Sequence, residues 1–323
     1  MITIRKAERR KAKLRLGIAG VSGSGKTMGA LKLAHGIGKK ICLIDTERGS
    51  GDLYASMYDY DIITLAPPYA PKNYIDAIEA AENAGYEVII IDSLSHAWSD
   101  EGGLLDQVDK IAAGSNNGNS YTAWRNVTPQ HRALVGAMLN SPAHIIATMR
   151  SKQEYALELN EKGKQVPRKI GMAPIQREGM EYEFTVFMDV NQNHTATASK
   201  DRTDMFKDEI FTISEKTGER LLVWLNEGAE PLPDPKQEEL KANLSEIYNL
   251  AYLVVGEFPK EDLAKVVSQK TELILNWVNF DAIKTRLSDL LPKDTQEKNG
   301  NLEKEAGGAV AQGAKKRDRV LVG

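Results

Sequence analysis

The sequence predicts an α/β fold: a mainly parallel β-sheet flanked by helices, extended by a C-terminal β-hairpin and strands, and followed by a small helical appendage. Three observations carry that expectation. Continuous apolar runs alternate with stretches of helical spacing through the first two-thirds of the chain, as they must when strands are buried on both faces beneath crossover helices. The segment Gly20-Val21-Ser22-Gly23-Ser24-Gly25-Lys26-Thr27 follows the first such run, opens the first helix and fits G-x-x-x-x-G-K-[ST]. A later run, Val88–Ile91, ends in Asp92, a carboxylate where the second motif of a phosphate site belongs.

The elements follow in order. Leu14–Ala19 is a short apolar strand, and Lys26 to about His35 has helical spacing. Ile41–Asp45 is a second strand, and Asn73–Ala84 a helix with Ile75 and Ile78 facing the same way. Val88–Ile91 is a β-branched run, Thr128–Asn140 a helix and Ile145–Met149 a strand. Tyr155–Leu159 and Gln165–Ile170 flank Asn160-Glu161-Lys162-Gly163 as a hairpin or mobile loop. Tyr182–Asp189 and Thr195–Lys200 read as two more strands, and Leu221–Leu225 lies on the last core helix. These place a basic arm at 1–13, a core at 14–228 and a proline-rich linker at 229–235. A helical region follows at 236–291, striped by Leu240, Leu244, Ile247, Leu250 and Ala251, with further helices around Leu263–Val278 and Ile283–Leu291. From Pro292 the chain is poor in large apolar residues and reads as a disordered tail, 292–323.

Composition narrows the function. The chain has 323 residues and one cysteine, Cys42, so neither an intrachain disulfide nor a cysteine metal site is available. No apolar run approaches the length of a membrane span, and the basic N-terminus is not followed by a secretory core, so a cytoplasmic setting without membrane contact is expected. Residues 1–15 carry a net charge of +6 and the remainder −9. Any nucleic-acid contact must therefore be local, and the arm reads equally as a DNA-touching segment or a solvated end.

The phosphate loop gives the chemistry. Glycines let backbone N–H groups turn inward around phosphates, and the helix that follows aims its N-terminus at the same anion. The nucleotide-binding set is Gly20, Val21, Ser22, Gly23, Ser24, Gly25, Lys26, Thr27 and Met28, with Lys26 reaching the β- and γ-phosphates. Thr27 and Asp92 are the expected Mg²⁺ ligands. A dinucleotide fingerprint fails on spacing, because Met28 stands where its third glycine belongs. No Asn-Lys-x-Asp guanine motif follows, so ATP is the expected nucleotide. Hydrolysis needs a group to orient water. Ser93 follows Asp92, so the base must come from elsewhere, and Glu47, just past the second strand on the same sheet edge, is the candidate. The competing reading pairs Glu47 with Arg48 or Arg9 as a surface ion.

Ile41–Glu47 followed by Asp52-Leu53-Tyr54-Ala55 resembles the RecA segment that carries its catalytic glutamate, and Val88–Ser93 resembles the RecA Mg²⁺ strand. Ala173–Phe184 leading to Ala198-Ser199-Lys200-Asp201-Arg202-Thr203 resembles the phage-encoded RecA-like P-loop ATPases used as single-strand annealing recombinases. These are AAA-family phage nucleotide-binding proteins of the RecA/RadA superfamily; bacterial RadA and the DnaB helicases carry a similar Lys-x-Arg. The resemblance covers about residues 1–225. It implies a RecA-like P-loop NTPase fold and a homo-oligomer, ring or filament, with ATP at subunit interfaces. Lys200 and Arg202 would then reach the neighbour's γ-phosphate, and Thr148 would be the polar γ-phosphate sensor. It also implies that loops beyond the Mg²⁺ strand line a path for single-stranded DNA. The first is Ala113–Ser120; the second carries Arg150, Lys152, Lys162, Lys164, Arg168, Lys169 and Arg177, with Tyr155 placed to stack on a base. The function so implied is ATP-dependent annealing or recombination, with a single-strand-binding protein as a further partner, in the host cytoplasm if phage-encoded. Two other classes stay open: a ring helicase or helicase loader, and a regulatory ATPase acting through protein partners.

Overall fold

The computed structural model describes residues 4–114, 120–159, 165–232, 235–275 and 279–291, with the backbone alone described at 120, 155–159, 165–170 and 235–237. The predicted turn at 160–163, most of the first predicted loop (115–119) and the tail from 292 lie outside those residues. The chain divides into two units, one ending at Pro231 and one beginning at Leu232.

The first unit alternates strands β1 (Arg15–Gly20), β2 (Ile41–Asp45), β3 (Asp61–Thr64), β4 (Val88–Asp92) and β5 (His144–Leu159) with helices. Those helices are α1 (Lys26–Ile37), α2 (Pro71–Asn83), α3 (His96–Ser99), α4 (Leu104–Ala113) and α5 (Ser120–Asn140). Then come β6 (Gln165–Pro174), β7 (Val186–Val190), β8 (Ala196–Asp201) and α6 (Glu215–Leu225). The sheet order is β3-β2-β4-β5-β1-β7-β8, with β6 paired to β5 off that path. All pairings along the path are parallel except β7–β8. Side chains alternate between two faces. Ile90 and Ile146 pack with Leu31 of α1 and Leu221 of α6, while Ile89, Ile91 and Ile145 pack with Tyr74 of α2 and Leu134 of α5. The predicted mainly parallel, helix-flanked sheet is the architecture observed.

Several boundaries differ for physical reasons. β3 escaped detection because only Ile62 and Ile63 are apolar in a half-exposed edge strand. Helix α5 begins at Ser120 rather than Thr128, because Ala123 and Val127 bury against Leu104 and Val108 of α4. The helix runs through Pro129, the residue that masked its first turns. Ile145–Met149 and Tyr155–Leu159 are one long strand, β5, paired antiparallel with β6. Tyr182 and Glu183 sit in a 3₁₀ turn, so β7 starts only at Val186.

The arm is tied down beyond its first residues. Lys11 N–H donates to the Ala229 carbonyl at 2.9 Å and Ala229 N–H returns to Arg9 at 3.0 Å, a parallel bridge between Arg10 and Ala229. The Arg9 guanidinium lies 4.0 Å from the Trp224 ring centre. Gly228 has φ +94°, and a Cβ there would meet the Arg9 carbonyl oxygen at 2.2 Å. Ala229 and Glu230, assigned to the linker by composition, thus belong to this clasp. The described residues of the second unit form three α-helices, α7 (Pro235–Val255), α8 (Leu263–Thr271) and α9 (Phe280–Asp289), closed around Ile247, Val267, Ile283 and Leu287. No helix among the described residues is long and apolar enough to cross a membrane.

Buried His144 makes stability pH-dependent. Its Nδ1 accepts the Leu14 N–H at 3.0 Å. Burial, helped by Lys13 and Arg15 and opposed by Glu87, lowers its pKa from 6.5 to about 4. Between those values the unfolded chain binds a proton that the native ring refuses, so stability falls as pH drops from 6.5 toward 4. The loss should approach roughly 3 kcal/mol at most. Urea midpoints across that window should fall less steeply for His144→Gln than for the wild type; equal slopes would remove His144 as a cause.

Candidate functional site

The site forms along the edge of the sheet where β1, β2 and β4 end and β5 runs on beyond them into its pairing with β6. Parallel pairing sets Asp45 of β2 beside Asp92 of β4, and Gly20 of β1 beside Arg150 of β5. Beyond Gly20 the chain turns tightly: Gly23 has φ +74° and Gly25 φ +88°, values that glycine adopts without strain. A Cβ at Gly20 would lie 2.5 Å from both Ser24 Oγ and the Val190 carbonyl oxygen. Ser24 is fully buried, and its Oγ has no hydrogen-bond partner among the described residues. The turn between β7 and β8 props the loop, with His194 Nδ1 3.0 Å from the Ser24 carbonyl oxygen.

Lys26 and Thr27 begin α1 with Met28, half-buried, behind them. The Lys26 ammonium donates to the Val21 carbonyl at 2.9 Å. Burial lowers its pKa, opposed by the charges of Asp92 and Glu47 and aided by that of Arg150. Thr27 Oγ1 donates to Asp92 Oδ2 at 2.6 Å, and the Thr148 hydroxyl donates to Asp92 Oδ1. Asp92 is 2% exposed, and burial pushes its pKa up against those two hydrogen bonds. A buried carboxylate converging with a hydroxyl offers hard oxygen donors to Mg²⁺, so Thr27 and Asp92 fit that ion. When bound it would offset the charge of the phosphates.

Glu47 stands on a braced turn. Asp45, 1% exposed, accepts the Glu47 N–H at 2.6 Å and the Gly49 N–H at 2.8 Å. Thr46 Oγ1 accepts the Ser93 N–H at 2.8 Å and lies 2.7 Å from His96 Nδ1, tying the β2 turn to the β4 turn. Glu47, Lys26, Thr27 and Asp92 share one cavity of about 570 Å³ with Gly23 and Gly25.

The other predicted residues are dispersed. Thr148 is fully buried, its proton given to Asp92. Lys200 and Arg202 both donate to the Tyr182 carbonyl. Lys200 pairs with Phe187, toward the end of β7 away from the phosphate loop, so neither cation joins its own chain's site. Among the cations assigned to DNA, Lys152 is exposed on the hairpin. Arg177 faces a separate groove with His131 and Glu183. Lys162 and Lys164 lie outside the described residues, as do the side chains of Tyr155, Arg168 and Lys169. Arg150 is at the phosphate cavity instead, paired with Glu47 at 2.9 Å, where the sequence had suggested Arg48 or Arg9. Sequence reasoning missed Arg150 here, although its position just past the predicted strand Ile145–Met149 was the available signal. It also missed His194 and the Asp45 brace.

Comparison with known protein families matches residues 12–226 to the model described as AAA domain. No curated protein matches the chain.

Proposed function

The chain belongs to the AAA domain family of P-loop ATPases, and from that premise we propose that it hydrolyses Mg²⁺-ATP as a RecA-like homo-oligomer that binds single-stranded DNA and promotes annealing. The convergence of Lys26, Thr27, Asp92 and Glu47 on one cavity carries the catalytic part. Lys26 binds the β- and γ-phosphates, backbone N–H groups of Gly23–Lys26 cradle them, and Glu47 takes the proton of the attacking water. Oligomerisation is supported by the placement of Lys200 and Arg202, held together yet away from their own cavity. In a ring or filament they would serve a neighbour's γ-phosphate. The DNA part draws on the basic excess across 150–178 and on the resemblance to phage annealing proteins, whose setting would be the host cytoplasm with a single-strand-binding protein nearby.

The test is steady-state ATP turnover with and without single-stranded DNA, using Lys26→Ala as the blank. DNA should stimulate turnover, and affinity for the strand should fall with rising salt. Turnover indifferent to DNA would retire the nucleic-acid reading and favour a regulatory ATPase acting through protein partners. DNA-stimulated unwinding of a tailed duplex would instead favour a motor.

A further inference from the structure

The ion pair at the mouth of the phosphate cavity has a geometry that the hydrolysis reading leaves unused. Nε and Nη2 of Arg150 both donate to a single oxygen of Glu47, at 3.0 and 2.9 Å. The side chains are 46% and 27% exposed, so the pair is accessible rather than sealed into the core. Together they line the phosphate cavity with Lys26, and also a smaller polar cavity of about 250 Å³ beside Thr46 and His96. The pair is therefore a partition between two polar spaces. The backbone of Arg150 is fixed on both sides: its N–H donates to Ser95 Oγ at 2.9 Å, and its carbonyl accepts the Ile175 N–H at 2.6 Å. Only the side chain is free to swing.

A carboxylate oxygen facing two charged N–H donors has its lone pairs committed and is poorly disposed to take a proton from water. We propose that Arg150 is a two-position residue. Without a triphosphate it clamps Glu47, and on triphosphate binding it transfers to the γ-phosphate, freeing Glu47 to act as the base. A γ-phosphate carries more negative charge than one carboxylate, and its oxygens accept the same planar fork of donors. Lys26 approaches the cavity from α1 and Arg150 from β5 at the last residue of its pairing with β1, so the two cations would bracket the terminal phosphate. ADP offers no such group and leaves the clamp closed. In the released state the water oxygen bonds to the γ-phosphorus and the bond from that phosphorus to the β,γ-bridging oxygen breaks. Its electron pair leaves with ADP, and the water proton passes to Glu47.

This rests on Glu47 as the base, and the test separates the two ideas. Displacement of a fluorescent ADP analogue by ADP and by the non-hydrolysable triphosphate AMPPNP is measured on the full chain with Mg²⁺. Arg150→Ala should bind ADP within about twofold of the wild type and AMPPNP about tenfold more weakly, the loss of a charge-assisted contact. Glu47→Gln removes the competitor for Arg150 and should tighten AMPPNP by about threefold or more. That gain should vanish in the double variant. An unchanged AMPPNP-to-ADP ratio in Arg150→Ala would overturn the proposal, as would an equal gain from Glu47→Gln with and without Arg150. Arg150→Gln carries the same comparison should the alanine variant not fold. Hydrolysis by Glu47→Gln at the wild-type rate would remove Glu47 as the base while leaving the binding result to stand for Arg150.

Discussion

Alanine at Lys26 is expected to cut ATP turnover by at least about 10²–10³-fold, the usual cost of deleting one preorganised donor to developing charge. Among the described residues, Lys26 is the only lysine lining the phosphate cavity. Its ammonium is anchored at 2.9 Å to the Val21 carbonyl, a contact within the loop that a phosphate oxygen can replace without moving the helix. Burial works against its charge, but Asp92 and Glu47 work for it, so the site holds a cation that is poorly hydrated and ready to bind an anion. Arginine should not restore activity, since its planar fork needs more space than a compact ammonium in the first turn of α1. Phosphate release from the full chain gives the rate, and thermal denaturation shows that the variant folds. Turnover above a tenth of the wild-type rate would mean that another group holds the phosphates.

Alanine at Gly36 or Gly218 should unfold much of the ATPase unit. Helices α1 and α6 touch backbone to backbone. A Cβ at Gly36 would lie 2.1 Å from the Glu215 carbonyl oxygen, and one at Gly218 would lie 2.3 Å from that of Leu33. Neither neighbour is a side chain that can turn aside, so the helices must separate, and with them the core around Leu31, Leu33 and Leu221. The expected loss is about 3 kcal/mol or more, at the upper end of overpacking costs. Nucleotide affinity should fall as well, because α1 carries Lys26 and Thr27. Gly136 in α5 is the control: a Cβ there meets nothing within 4 Å. Alanine at that site should stabilise by about 0.5–1 kcal/mol through helix propensity. Urea midpoints for the three variants decide the matter, and near-equal values would refute the close-approach argument.

Most of the parallel sheet and the heart of the site were legible because their signals are local. Val88–Asp92 is wholly apolar until its last residue, and the phosphate loop demands glycine where φ is positive. What escaped depends on contacts distant in sequence. Helix α4 and the first turns of α5 are amphipathic only toward each other, through Leu104, Val108, Ala123 and Val127. Arg150 could be assigned from sequence to a basic hairpin, and it takes the register of β1 and β5 to bring it to Glu47, 103 residues away. Thr148 reads as an ordinary strand former until β5 is set beside β4, where it turns to Asp92.

The clasp between the arm and the end of α6 bears on how the ATPase unit can be excised and reused. Arg9, Arg10 and Lys11 on one side, and Ala229 and Glu230 on the other, all fall outside the 12–226 span that defines the family. Cutting at those limits would leave Trp224 without its guanidinium cover and Ala12 as the last arm residue still bonded, to Leu225. The portable unit therefore runs from the arm to Pro231, and its two ends emerge side by side, a natural seam for joining them and reopening the chain elsewhere.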